Sequence, residues 1–160
     1  MTLPLRTAIW LALTAAILAL GSAFAMQYLA GLQPCVLCVW QRYPYGVVIL
    51  LAALALIAPG QARWLLLAAG LAFLVDAGIA GFHVGVEQHW WEGKSSCGTE
   101  GAAPASLADL KAQLTAGPVA RCDEPQGVFL GLSIAGWNLA FALSLAILSL
   151  RNAVFSGRGR

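Results

Sequence analysis

Charge is what this sequence has least of. Only 10% of its 160 residues are Asp, Glu, Lys or Arg, where a soluble domain carries about 25%. The nine basic and seven acidic residues leave a formal net charge of +2. That offers no basic surface for nucleic acid, so no nucleic-acid partner is expected. Internal repeats and low-complexity linkers are missing too. A chain of 160 residues has room for one compact unit and no second domain of ordinary size. What fills the space is apolar: 60% of the residues are hydrophobic and the mean hydropathy is +0.78. The chain reads as a membrane protein in a lipid bilayer.

The apolar residues fall into four runs. Thr7–Leu32 carries no formal charge and exceeds the roughly 20 helical residues that cross about 30 Å of hydrocarbon. Arg6 and Ala23-Phe24-Ala25 resemble the basic start and cleavage site of a signal peptide. The run is longer than the ~7–15-residue apolar core of such a peptide, however, and further spans follow, so a retained helix is expected. A second span is expected over 39–58, closed by the turn signal Pro59-Gly60. The short turn implies an antiparallel hairpin with a third span over 64–86, which Asp76 interrupts. A fourth covers 128–150. The expected fold is all-α, a single domain over 1–160 built as a four-helix transmembrane bundle. Its two loops, about 33–38 and 87–126, share one side.

Orientation follows from the cations. The N-terminus, the Pro59–Arg63 turn and the C-terminal tail hold Arg6, Arg63, Arg151, Arg158 and Arg160 without an acid. The opposite loops hold Arg42, Lys94, Lys111 and Arg121, alongside Glu87, Glu92, Glu100, Asp109, Asp123 and Glu124. Basic residues in short segments stay cytoplasmic. Both termini are therefore expected in the cytoplasm, and all four cysteines on the oxidising side. Trp40, Tyr43, Tyr45, Trp90 and Trp91 lie near that side and Trp64 near the other, as in aromatic belts. Within the long loop, Ser106–Leu114 has a capping-box spacing and puts Leu107, Leu110 and Leu114 on one face. This short helix either lies on the membrane or packs on its own loop.

Four cysteines allow three pairings. Cys35 and Cys38 form a C-x-x-C, whereas 24 residues separate Cys97 from Cys122. A metal site would draft two more ligands from Cys97, Cys122, His83 and His89, but thiolate sites favour tight pairs, and no metal is expected. Two structural bridges are the other alternative. A loop as short as C-x-x-C constrains the unfolded chain little, so it is a poor staple and a good exchange centre. Arg42, one helical turn beyond Cys38, would stabilise a thiolate there. A snorkelling interfacial arginine is the plainer reading of that residue. Together these parts read as a redox centre. A disulfide at a membrane needs an electron partner, and a lipid-soluble carrier such as quinone suits the apolar surroundings. Arg42 could donate hydrogen bonds to a quinone carbonyl.

The motifs resemble a known family along nearly the whole chain. Pro34-Cys35-Val36-Leu37-Cys38 with Gln41-Arg42, Phe82-His83-Val84-Gly85-Val86-Glu87 leading to Cys97, Arg121-Cys122-Asp123-Glu124, and Phe129-Leu130-Gly131-Leu132-Ser133 running to Gly136-Trp137-Asn138 are similar to the DsbB family of bacterial inner-membrane disulfide-generating enzymes. The resemblance implies a protein-disulfide:quinone oxidoreductase that reoxidises a periplasmic DsbA-like thiol oxidase and passes two electrons to ubiquinone or menaquinone of the membrane pool. It implies that the partner attacks Cys97, that freed Cys122 attacks Cys35, and that Cys38 leaves as a thiolate facing the quinone beside Arg42. It also sets His83 near the quinone; an interfacial histidine with a local partner such as Glu87 is the alternative. Trp137 and Asn138 either line the quinone pocket or pack helices. Asp76 matches no motif of the family; it is either functional or a protonated acid bonded between helices. Rival readings keep the chemistry with a dedicated exported partner, or make the chain a non-enzymatic membrane protein with structural or metal-binding cysteines. A vitamin K epoxide reductase-like protein is disfavoured by the position of the C-x-x-C after the first span.

Overall fold

The computed structural model describes residues 3–91, 106–108, 120–125 and 127–155. Its framework is helical: α1 Leu5–Tyr28, α2 Val36–Trp40, α3 Arg42–Ile57, α4 Ala62–Glu87 and α5 Ile134–Phe155. α2 and α3 together form one span, Val36–Ile57, so four stretches are long and apolar enough to cross a membrane. The break between them has a covalent cause. Pro44 has no N–H to return to the carbonyl of Trp40, which interrupts the ladder around Gln41. The longest helix, α4 with 26 residues, extends about 39 Å at 1.5 Å per residue.

Small residues bring the helices together. The packed centre is made of Ala8, Ala12 and Ala16 of α1, Ala52 and Ala55 of α3, Ala69 of α4, and Ala146 and Ala153 of α5, with Leu66 and Phe73 filling between them. In lipid, association gains from close van der Waals approach rather than from excluding water, and small side chains permit that approach. Gly70 is the tightest example. A Cβ there would stand 2.8 Å from the Leu150 side chain and 3.1 Å from its backbone nitrogen. Leu50, Ile57 and Val75 instead point outward, well exposed, as lipid-facing residues do. The end opposite the cysteines is tied by two polar links. The Leu3 N–H donates to Asn152 Oδ1 at 2.7 Å, and Arg63 Nε donates to the Ala153 carbonyl at 2.9 Å.

α5 begins at Ile134, later than the 128–150 run suggests. The first part of that run is an antiparallel hairpin, with β1 Val128–Phe129 paired to β2 Leu132–Ser133. Its two-residue turn puts Leu130 at φ 51° and Gly131 at φ 80°. That left-handed pair is what a tight hairpin needs, and hydropathy does not register it. Ser133 then caps α5, its Oγ accepting from the Gly136 N–H at 3.0 Å. A second departure concerns the end of α4. Trp91 folds back so that its indole lies where a Cβ on Gly85 would stand, donates Nε1–H to the Phe82 carbonyl at 3.0 Å, and stacks on the Phe82 ring. Only 106–108 of the expected amphipathic helix fall within the described residues, and Leu107 is exposed there.

Candidate redox site

Helix starts and ends deliver the reactive groups. Cys35 is the N-cap of α2, and its sulfur accepts the Cys38 N–H at 3.3 Å. The two thiols therefore sit one turn apart on one face. The Cys35 thiol donates to Cys38 Sγ at 2.8 Å. Cys122 comes from the other loop into the same buried pocket, packed with Cys35, Leu37 and Val86. His83, near the end of α4, faces Cys35 with Nε2 3.6 Å from the sulfur. Ligating atoms of Cys35, His83 and Cys122 all lie within 4.8 Å of one another. Cys122 acts to lower the Cys35 pKa, but the contact with Cys38 and burial outweigh it and push the thiol up to about 12. Cys35 thus keeps its proton at neutral pH and serves Cys38 as a donor.

A cavity of about 750 Å³ adjoins the thiols. Its walls are mostly apolar, from Leu18, Ala23 and Met26 of α1 to Ile134 and Phe141 of α5. Cys35, Cys38, Gln41, Arg42, His83 and Asn138 also reach it. The cavity exists because α1 buries nothing beyond Ala16; its second half stands off and becomes wall.

The expected site residues are brought together unevenly. Cys35, Cys38, Cys122 and His83 converge, while Cys97 lies outside the described residues. Arg42 reaches the cavity but does not hydrogen-bond Cys38. Its Nη1 donates to Gln27 Oε1 at 2.6 Å, and its guanidinium sits 4.9 Å from the Phe24 ring centroid. The amide oxygen and ring face on α1 are the better partners, so the spacing to Cys38 misreads where this cation goes. Its buried Nε has no hydrogen-bond partner among the described residues. Glu87 lies 3.8 Å from His83 Nε2, in line with the expected pairing. Outside the span, Arg121 pairs with Asp123 and holds that carboxyl below its usual range.

Sequence reasoning places Tyr45 wrongly and gives Gln41 and Gln27 no role, whereas cavity lining is one of its two readings of Trp137. Tyr45 is no belt residue: it is 4% exposed and donates to Asn138 Oδ1 at 2.5 Å. Gln41 is buried and links Asn138 to His83. Gln41, Tyr45, Val48, Ala52 and Ala55 are all buried at helical spacing, a stripe that the sequence already displays. Gln27 carried no signal, since its role depends on a neighbour 15 residues away. Trp137 is tied to the hairpin, donating Nε1–H to the Phe129 carbonyl at 2.9 Å, and also lines the cavity.

Fold and site define a multi-pass membrane protein with a paired-thiol centre beside an apolar cavity. The family model for disulfide bond formation protein DsbB matches residues 5–151. Relatives named disulfide bond formation protein B include one from Acidovorax sp. (strain JS42), 33% identical with 86% of this chain and 82% of the relative covered. Another, from Aromatoleum aromaticum, is 31% identical over 82% of this chain and 81% of its own length. One from Neisseria gonorrhoeae is 28% identical over 92% of this chain and 94% of its own length. No solved structure matches the chain. The chain belongs to the DsbB family of disulfide bond formation proteins.

Proposed function

We propose that the chain is a protein-disulfide:quinone oxidoreductase of the bacterial inner membrane that recharges a DsbA-like periplasmic thiol oxidase. Both termini lie in the cytoplasm and the cysteines face the periplasm. One observation carries this reading: Cys122, from the far loop, packs against the Cys35–Cys38 pair, and that pair opens on the apolar cavity. The sulfurs of Cys35 and Cys38 face each other at 2.8 Å, and Cys38 is not part of the group formed by Cys35, His83 and Cys122, which favours a bond that opens and closes over a metal clamp.

The cavity suits a quinone in size and chemistry. Its 750 Å³ is within the usual ~300–1,000 Å³ of a small-molecule site. Its wall is greasy enough for an isoprenoid tail, with Arg42 as a donor for a carbonyl and His83 in the lining beside it. Among the described residues the buried Nε of Arg42 meets no acceptor, which leaves a donor for a ligand. A bound quinone would supply a two-electron acceptor more oxidising than a DsbA-type disulfide, which stands near −120 mV.

The chain's own residues perform the sulfur chemistry. The partner's thiolate attacks Cys97 of a Cys97–Cys122 disulfide, forming a mixed disulfide with Cys97 and releasing Cys122 as a thiolate; the partner's second thiol then closes the partner's own disulfide and frees Cys97. Cys122 as thiolate then attacks Cys35, forming the Cys122–Cys35 bond and releasing Cys38 with the electron pair. The Cys35–Cys38 contact and the α2 N-terminus hold the departing sulfur in place. Arg42, steadied by Gln27 and Phe24, keeps a fixed positive charge in the cavity. The test is a quinone-reduction assay with reduced DsbA-like partner. Wild type should consume quinone and yield partner disulfide in equal amounts, and Cys97→Ser should block partner oxidation first. Quinone consumption that is independent of the partner's thiols would overturn the reading.

A further inference from the structure

Asp76 lies fully buried on α4, without a cation beside it and with Oδ1 lacking any hydrogen-bond partner among the described residues. It is also the head of a hydrogen-bonded line that ends at the thiols. Asn138 Nδ2 donates to Asp76 Oδ2 at 3.0 Å and to Gln41 Oε1 at 3.1 Å. Tyr45 donates its hydroxyl to Asn138 Oδ1. Gln41 Nε2 meets His83 Nδ1 at 3.2 Å. His83 Nε2 meets Cys35 Sγ at 3.6 Å.

Each link fixes the direction of the next. As a carboxylate Asp76 can only accept, so the group facing its Oδ2 must be a donor. Turning Asn138 over would set its oxygen against oxygens of Asp76 and Gln41, so its NH₂ must face both. Gln41 therefore points its carbonyl at Asn138 and its NH₂ at the ring. A donor facing Nδ1 leaves the imidazole proton on Nε2. The other side of the ring agrees, because Nε2 faces a sulfur and a Glu87 carboxylate oxygen, both acceptors.

We propose that Asp76 is a positioning residue which, through Asn138 and Gln41, holds His83 in the Nε2–H tautomer and so keeps an N–H donor aimed at Cys35 Sγ. This rests on the disulfide-exchange reading above. When Cys122 attacks Cys35, the Cys122–Cys35 bond forms, the Cys35–Cys38 bond breaks, and the electron pair leaves on Cys38. Charge is spread over the three sulfurs in passing. A donor at the central sulfur stabilises that charge, whereas the opposite tautomer would present a lone pair to it.

The chain has two histidines, which makes the tautomer directly readable. The experiment uses full-length protein labelled with ¹⁵N-histidine, in nanodiscs, in a His89→Asn background. Asn tolerates the φ of 55° at that position. With Asp76 present, nitrogen NMR should show one neutral form of His83, protonated on Nε2. Asp76→Asn offers Asn138 both a donor and an acceptor, so both tautomers should appear. Gln41→Glu presents only oxygen to Nδ1 and should draw the proton there. Asp76→Asn should also slow the Cys122–Cys35 exchange about five- to tenfold, the worth of one neutral hydrogen bond, with the quinone KM unchanged. A single Nε2–H form in both variants would overturn the proposal. The spectrum needs no turnover, so a wild type that shows the tautomer yet fails to reduce quinone would sink the proposed function and leave the Asp76 assignment standing.

Discussion

The two halves of α1 meet different surroundings. From Ala8 to Ala16 the helix is buried against α3, α4 and α5 through alanines. From Leu18 to Gln27 it touches its neighbours across a cavity. The same division runs through the bundle. One half is closed by Ala, Gly70 and Leu66 with few polar groups; the other replaces apolar contact with Gln41, Tyr45, Asp76, His83 and Asn138 bonded in line. Close packing of the first half is what allows the second to stay open. A bundle packed evenly along its length would have no room for a carrier beside the thiols.

The largest expected effect breaks the open half alone. Cys38→Ser should abolish quinone reduction, a loss of at least about 10³-fold if the sulfur is the electron donor, while helix content and melting stay unchanged. Normal partner oxidation by that variant would remove Cys38 from the reaction. Next comes a reactivity contrast within the thiol pair. With its pKa pushed up to about 12, Cys35 in the reduced protein holds its proton at pH 8. The thiolate is the form that alkylates, so iodoacetamide should modify Cys35 on the order of 10³-fold more slowly than a free cysteine, the gap closing as pH rises toward 12. Peptide mapping that finds Cys35 labelled at an ordinary rate would contradict the placement of its proton.

Arg42→Ala should raise the quinone KM about tenfold, the cost of one charge-assisted hydrogen bond; an unchanged KM would take Arg42 out of the cavity's work. The packed half should answer in the opposite way. Gly70→Ala sets a methyl against the Leu150 backbone and should cost roughly 1–3 kcal/mol of stability, read as a lower melting temperature with KM retained. Asn152→Ala, which strips the Leu3 N–H of its acceptor, should cost about 1 kcal/mol. If it altered quinone kinetics instead, the two halves would not be separable.

The division was only partly legible in the sequence. Four spans could be read because hydropathy is a sum over many residues and tolerates local error. The C-x-x-C could be read because it is local, but the start of α2 at Val36 could not, since 33–38 reads as loop and the span as beginning at 39. Arg42 could not, since its choice of Gln27 over Cys38 is settled by a helix packed beside it. Tyr45 looked interfacial by position, and only the stripe with Gln41 and Val48 marks it as buried. Asp76 stood out as an ionisable group in an apolar run, but its line to His83 passes through Asn138 of α5 and Gln41 at the break between α2 and α3. The start of α5 was misjudged because an apolar hairpin and an apolar helix have the same hydropathy, and the difference lies in the φ angles of Leu130 and Gly131.

That hairpin has a consequence for how the site tolerates change. Ser133 stops the ladder and starts the helix, so it sets the rotational phase of everything after it on α5. Each residue turns a helix by about 100°. Insert or delete one position between Ser133 and Asn138, and the amide that serves Asp76, Gln41 and Tyr45 swings away from all three, while the apolar face changes little in character. The hairpin is the index mark against which α5 is dialled. Substitutions along the helix should be forgiven far more readily than a single change in its count.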